Sequence, residues 1–348
     1  MRRAPCCTTE MKIHLHEYNL PLTHPFTISR GTITVQDTLI VELQQDGVSG
    51  YGEATVNAYY DAAMANMKKR FNAMEPVLGG HTFRDTDSFW KLCAEHLADA
   101  PFVLAALDCA AHDLWGRLEN TPVHRLWGLD PNDAVESSFT IGIDEVDVMI
   151  AKLAEMPGWP IYKIKLGTAN DVEIIAALRK HTEAVFRVDA NCAWDPNEAA
   201  ALSGEMARQG VEFIEQPLPP EARKAQAQLF LESALPLIAD ESCAAEADVP
   251  RCVDHFHGIN IKLCKCGGLT PARRMIANAR ELGLKVMVGC MTESSVGISA
   301  AAQLAPLLDY ADLDGAVLLA KDAAEGVQLH QGQLIFRDEP GLGIQSLK

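Results

Sequence analysis

Eight short apolar runs in the later part of the chain each stop at a polar residue or glycine, and the stops are Thr140, Lys165, Asp189, Glu215, Asp240, Lys262, Gly289 and Asp314. Their successive separations are 25, 24, 26, 25, 22, 27 and 25 residues. Each step has room for one buried strand, one helix and their connections, so the pattern predicts strands alternating with helices around a parallel sheet. Eight near-equal steps predict closure into a (β/α) barrel, compact beside the usual length of about 250 residues. Two of the intervening helices are well punctuated. Asp195-Pro196-Asn197 opens one with a cap and an N1 proline and Gly210 closes it, while Thr270-Pro271 opens another and Gly283 closes it. No sequence repeat accompanies the step, so the regularity is architectural.

The texture before residue 128 differs. Residues 12–18 and 38–44 read as strands, and Gln45-Asp46-Gly47 as a turn, which predicts a small antiparallel sheet. From Ala62 to Trp127 the apolar spacing is helical, and the small-residue run Leu104 to Ala111 predicts a tightly packed helix. The expected organisation is therefore an α+β domain over 11–127 followed by the barrel from 128. Residues 1–10 lack the apolar segment of a secretory signal and read as a disordered extension, an early start ahead of Met11. Thirty Lys and Arg against 47 Asp and Glu give a net charge of −17, a field that repels nucleic acid and anionic membranes. No stretch approaches the ~20 apolar residues of a membrane helix. Ten scattered cysteines without a CxxC pair point to free thiols in a reducing cytoplasm.

In (β/α) barrels the site forms at the C-terminal ends of the strands. Three consecutive ends carry carboxylates here: Asp189, Glu215 and Asp240. Left unpaired at converging strand ends, they would repel one another and lose hydration, and a hard divalent cation resolves both problems. Ligation by oxygen alone suits Mg²⁺, or Mn²⁺, better than zinc. The flanking ends carry lysines. In Tyr162-Lys163-Ile164-Lys165 the period of two puts Lys163 and Lys165 on one face, and Lys262 ends the sixth run. Lys165 and Lys262 are thus expected to face each other across the metal, with pKa values depressed toward the range useful to a general base, about 7 to 8. Base, metal and base together suit removal of a proton beside a carboxylate and its return on the opposite face.

As a set, Lys163-Ile164-Lys165, Asp189, Glu215, Asp240 and Lys262 resemble the signature of the muconate-lactonizing subgroup of the enolase superfamily, and the resemblance extends over residues 11–348. It implies a modified (β/α)7β TIM barrel with an α+β capping domain, residues 128–325 forming the barrel and 326–348 returning to the cap. Tyr310-Ala311-Asp312-Leu313-Asp314 further resembles the Asp-x-Asp of dipeptide epimerases, which implies that Asp312 and Asp314 hold a substrate ammonium. The segment His24 to Gly31 resembles the cap loop of L-Ala-D/L-Glu epimerases, in which Arg30 could clamp a glutamate side chain. Lys163 is expected to help neutralise the enediolate, Thr140, Cys290 and Met291 to line the pocket, and Asn191 and Glu241 to support the metal ligands. The expectation is a Mg²⁺-dependent L-Ala-D/L-Glu epimerase of peptidoglycan turnover, cytoplasmic and compatible with a homo-oligomer. An o-succinylbenzoate synthase-type lyase, a muconate cycloisomerase, an N-acyl amino acid racemase and an inactive binding protein stand as alternatives. Other motifs carry less: His14-Leu15-His16 alternates on a strand, and Gly267-Gly268 before Thr270-Pro271 reads as a tight entry into a helix.

Overall fold

The computed structural model describes residues 10–348, so the expected N-terminal extension lies outside the described residues but for Glu10. Strands β1 (Lys12–Ile28), β2 (Gly31–Gln45) and β3 (Val48–Thr55) form an antiparallel sheet in that order. The Asp46-Gly47 turn takes positive φ at both positions, the geometry that matches a hairpin's twist. Strands β1 and β2 run well beyond the expected 12–18 and 38–44, continuing past a register shift between Pro21 and Phe26 as a long hairpin. Residues 31–35 of that hairpin are exposed, although Thr32-Ile33-Thr34-Val35-Gln36 alternates as a half-buried strand would.

Helices α1 (Met64–Gly79), α2 (Thr86–Leu97) and α3 (Pro101–Leu118) pack on this sheet. Helix α3 approaches β3 so closely that a Cβ at Gly50 or Gly52 would collide with its backbone at Ala106 and Ala110. The small-residue run read from the sequence is therefore the contact face.

After a short helix, α4 (Val123–Leu126), the chain alternates. The units are β4 (Phe139–Ile141), α5 (Val146–Glu155), β5 (Ile161–Lys165), α6 (Asp171–Arg179), β6 (Val185–Asp189) and α7 (Ala199–Arg208). They continue with β7 (Val211–Glu215), α8 (Arg223–Glu232), β8 (Leu237–Ala239), β9 (Gly258–Ile261), α9 (Leu263–Cys266), α10 (Leu269–Glu281), β10 (Lys285–Gly289), α11 (Ser295–Ala302) and β11 (Tyr310–Asp312). Each strand from β4 to β11 pairs in parallel with its successor. The seam closes through a bridge between Ser137 and Ala311. The eighth strand ends at Asp312, two residues short of the predicted stop. The tail forms a small hairpin, β12 (Gln328–His330) with β13 (Gln333–Ile335), and then meets α3, where Leu342 N donates to Asp113 Oδ1 at 2.7 Å.

Inside the barrel, Phe213, Ile238, Met287 and Tyr310 form an apolar floor, with the Arg187 guanidinium over the Phe213 and Tyr310 rings and paired to Glu212 at 2.7 Å. The carboxylates Asp189, Glu215 and Asp240 lie beyond this floor, at the C-terminal ends of their strands. Two fully buried carboxylates join the N-terminal layers to the barrel, each at the start of a barrel helix, where backbone N–H groups lack helical partners. Glu53 accepts from Ser294 N, Ser294 Oγ and Gly297 N ahead of α11, at 3.1, 2.5 and 3.0 Å. Asp108 accepts from Thr270 N and Oγ1 in α10, at 2.8 and 2.7 Å. Replacing Asp108 by Ala strands both Thr270 donors in the interior and is expected to cost about 3 kcal/mol. A melting experiment should show a fall of roughly 4 °C; a change under 1 °C would mean that this contact does not hold the two parts together.

Candidate active site

The backbone register assembles the site. Lys165 lies beside Asp189 and Asp189 beside Glu215 across β5, β6 and β7. Alternation points Lys163, Lys165, Asp189 and Glu215 into the barrel and sends Ile164, Val188 and Ile214 to the helical layer. Asp240 and Lys262 are the residues immediately after β8 and β9, so they sit at the same level on the rim. The three carboxylates offer oxygens that all lie within 4.8 Å of one another, and all three are buried.

Lysines surround this triad. Lys165 Nζ lies 2.6 Å from Asp189 Oδ2, and Lys262 Nζ lies 2.8 Å from Asp240 Oδ2. Lys163 Nζ is 2.7 Å from both Glu215 Oε2 and Asp312 Oδ2 and 3.2 Å from Asp189 Oδ2. Burial alone would strip the proton from Lys163, but Asp312, Glu215 and Asp189 outweigh it and hold its pKa well above the usual lysine value. The same contest at Lys262, burial against Asp240, also ends well above the usual value. The expected depression is therefore absent at Lys262 while Asp240 is its ion-pair partner. The acids are unequal. Burial and the charge of Asp189 push Glu215 up to about 7, whereas Lys165 and Lys163 overcome the burial of Asp189 and hold it at about 2. Burial likewise opposes the ionised form of Asp240, but Lys262 and Lys265 keep it well below the usual carboxylate range.

Donor chemistry and spacing fit a hard divalent cation: three buried carboxylates with oxygen as the only donor, and no histidine or cysteine in the group. Each carboxylate is also held from outside the triad. Asn191 N donates to Asp189 Oδ1 at 2.9 Å and Asn260 Nδ2 to Glu215 Oε1 at 2.8 Å. Gln216 Oε1 accepts from Asp240 N and Ser242 N at 2.9 and 3.0 Å, fixing the loop that carries the third acid.

A cleft of about 360 Å³ opens onto these groups, lined by Lys163, Lys165 and Lys262 on its floor and by Thr140, Cys290, Met291, Asp312 and Asp314 on its wall. Asp312 is occupied by Lys163, by Ser138 Oγ at 2.7 Å and by Thr140 Oγ1 at 3.3 Å. Asp314 accepts from Thr140 N at 2.5 Å, and burial with the charge of Asp312 pushes it up to about 7. Arg30 reaches the cleft from the turn between β1 and β2, but its guanidinium is engaged by the protein. It lies 2.8 Å from Glu241 Oε1, donates to Asn191 O at 3.3 Å and covers the Tyr59 ring at 4.4 Å. Glu241 thus pairs with Arg30 beside Asp240 and Asp189, where burial together with the charges of those two acids raises its pKa, and Asn191 meets Asp189 through its backbone N–H.

Two residues of the site escape the sequence reading. Asn260, two positions before Lys262 on β9, shares its face and could have been found from the period of two. Lys265 packs against Asp240 Oδ1 at 2.5 Å, and only the short helix α9 after β9 brings it there.

The chain matches two family models, "Mandelate racemase / muconate lactonizing enzyme, N-terminal domain" over residues 10–128 and "Enolase C-terminal domain-like" over residues 146–347. It is 48% identical over 337 residues to the L-Ala-D/L-amino acid epimerase of Flavobacterium johnsoniae, covering 97% of this chain and 100% of that one. With the L-Ala-D/L-amino acid epimerase of a Maribacter species it shares 50% over 335 residues, 96% of this chain and 99% of the relative. Among solved structures, the dipeptide epimerase of Enterococcus faecalis complexed with Mg and L-Leu-L-Tyr superposes with a TM-score of 0.91 at 31% identity, covering 97% of this chain and 100% of that one. With the barrel, the capping sheet and the buried acidic triad in place, these matches make the chain a member of the mandelate racemase / muconate lactonizing enzyme family of the enolase superfamily.

Proposed function

We propose that this protein is a Mg²⁺-dependent epimerase of L-Ala-Xaa dipeptides, L-Ala-D/L-Glu from peptidoglycan turnover among them, inverting the α-carbon of the second residue. The observation that carries this reading is the pair Lys165 and Lys262, each against a different acid of the triad and both opening on one cleft. The relatives at 48 and 50% identity are named for the same chemistry on L-Ala dipeptides.

Asp189, Glu215 and Asp240 would hold the cation. When bound, Mg²⁺ supplies Lewis-acid stabilisation of the charge that gathers on the substrate carboxylate as the α-proton leaves, worth several kcal/mol. Lys165 takes or returns that proton on one face and Lys262 does so on the other, so the carbon is reprotonated with inverted configuration. Lys163, locked among Asp189, Glu215 and Asp312, stays protonated and balances negative charge at the cleft floor. The substrate ammonium goes to Asp314, with Asp312 behind it. Asp312 is already paired with Lys163, so the ammonium is left to Asp314 in its ionised form. Thr140, Cys290 and Met291 bound the dipeptide, and Arg30, held by Glu241, bounds the cleft at the hairpin. The substrate of a lyase of this type, a cycloisomerase or an N-acyl amino acid racemase has no free α-ammonium, so a buried acid pair beside the lysines favours the dipeptide. The intact lysines weigh against an inactive binding protein.

Every cysteine among the described residues is free, in keeping with a cytoplasmic enzyme, and no described helix is long and apolar enough to cross a membrane. The net charge of −17 disfavours nucleic acid, and a homo-oligomer is compatible with the fold.

In D₂O with Mg²⁺, wild-type protein is expected to place one deuteron on the second-residue α-carbon of L-Ala-L-Glu and of L-Ala dipeptides with other side chains. Lys262→Ala should lose epimerisation by about 10³-fold or more, consistent with loss of a general base acting in one of two transfers, while keeping exchange on the epimer presented to Lys165. Mass spectrometry reads both results, and a wild-type protein with metal bound that takes up no deuterium would sink the reading. The ammonium site adds a pH dependence. Asp314 carries its proton below about 7 and is ionised above it, so KM for a dipeptide should fall as pH rises through 7. In Asp314→Asn that limb should disappear from the KM profile.

A further inference from the structure

One acid of the triad is gripped by a lysine that proton transfer does not use. Lys265 is 4% exposed and sits in α9, one helical turn after Lys262. Its Nζ donates to Asp240 Oδ1 at 2.5 Å and faces three backbone oxygens, those of Asp240 at 2.6 Å, Cys243 at 3.3 Å and Asn260 at 3.5 Å. An ammonium has three protons to give, so these acceptors use it completely. Lys262 meets the same carboxylate at its other oxygen, Oδ2, at 2.8 Å. The two lysines thus divide Asp240 between them. Asn260, whose carbonyl faces Lys265, gives its side-chain amide to Glu215 at 2.8 Å, so the ends of β7, β8 and β9 converge on one buried cation. The Lys265 side chain is 1% exposed and enclosed by these acceptors, which keeps it from a substrate.

We propose that Lys265 is a positioning residue for the divalent cation. By holding Oδ1 and the backbone of residues 240–243, it sets the orientation in which Asp240 offers Oδ2, the oxygen that Lys262 meets, toward the cation. A purely structural role explains the site less well. A buried ammonium pays a desolvation cost that an apolar side chain of similar volume would avoid, and what the charge adds here is direction on one metal-binding carboxylate. The proposal rests on the metal-dependent reading of the site.

The test is a Mg²⁺ titration of the full-length protein followed by its melting temperature, run on wild type, Lys265→Gln and Lys265→Arg. Loss of a group that orients a metal ligand typically costs 10–100-fold in affinity. The Mg²⁺ midpoint should therefore rise at least tenfold in Lys265→Gln and by a smaller factor in Lys265→Arg, which keeps the charge. A structural lysine would lower the metal-free melting temperature of Lys265→Gln and leave the midpoint within twofold of wild type, which overturns the proposal. If Lys265→Gln does not fold, an unchanged midpoint in Lys265→Arg overturns it equally. A wild-type protein with no Mg²⁺-dependent shift overturns the metal reading and this one together. A normal wild-type shift without dipeptide turnover overturns the substrate reading alone.

Discussion

Charge balance in a dry place is the constraint on which this structure depends. Asp189, Glu215, Asp240 and Asp312 are all buried at the C-terminal mouth of the barrel, and so are Lys163, Lys165, Lys262 and Lys265. Any of these groups alone would lose several kcal/mol of hydration there. They are tolerated because the strand register brings opposite charges into contact, and a one-residue slip of any strand would turn its members toward the helical layer. Phe213, Ile238 and Met287, with Tyr310 packed against them, form a separate apolar cluster inside the barrel.

The capping layers close the site from the opposite side. The β1–β2 hairpin crosses the barrel mouth, bonded at Thr27 O to Ile143 N, at Pro21 O to Ala320 N and, through Ser29 and Arg30, to the carbonyl of Asn191. Those contacts touch the segments that follow β4, β6 and β11, so the roof is fastened to the same strand ends that carry the chemistry. Glu53 and Asp108 anchor the layers beneath that roof on the N-termini of α11 and α10, where each carboxylate exchanges water for otherwise unpaired N–H groups.

The inequality of like residues comes from the same packing. Asp312 and Asp314 occupy one wall of the cleft, yet Lys163 keeps the first ionised while burial beside that ionised neighbour raises the second. Lys262 and Lys265 are three positions apart and share one carboxylate, yet one opens on the cleft and the other is enclosed by backbone carbonyls. Arg30 stands where a guanidinium could meet a substrate, and Glu241 has already claimed it. In each case a partner distant in sequence sets the behaviour, and no local pattern carries that information.

The near-constant spacing of apolar runs and the polar residues at their ends determined the barrel, and with it the triad of Asp189, Glu215 and Asp240 and the flanking Lys163, Lys165 and Lys262. This works because strand period and barrel closure are local and repetitive, so the end of each run projects to the same rim. Asn260 was within reach of the same period. The Thr32-Ile33-Thr34-Val35-Gln36 alternation of the long hairpin was within its reach too, but that both faces there are exposed follows only from the tertiary structure. Only the tertiary structure decided which lysine pairs with which oxygen, that Glu241 faces Arg30, and that Lys265 enters the site at all. Those outcomes follow from competition among buried charges for a few partners, which depends on distances across the barrel and not on separation along the chain.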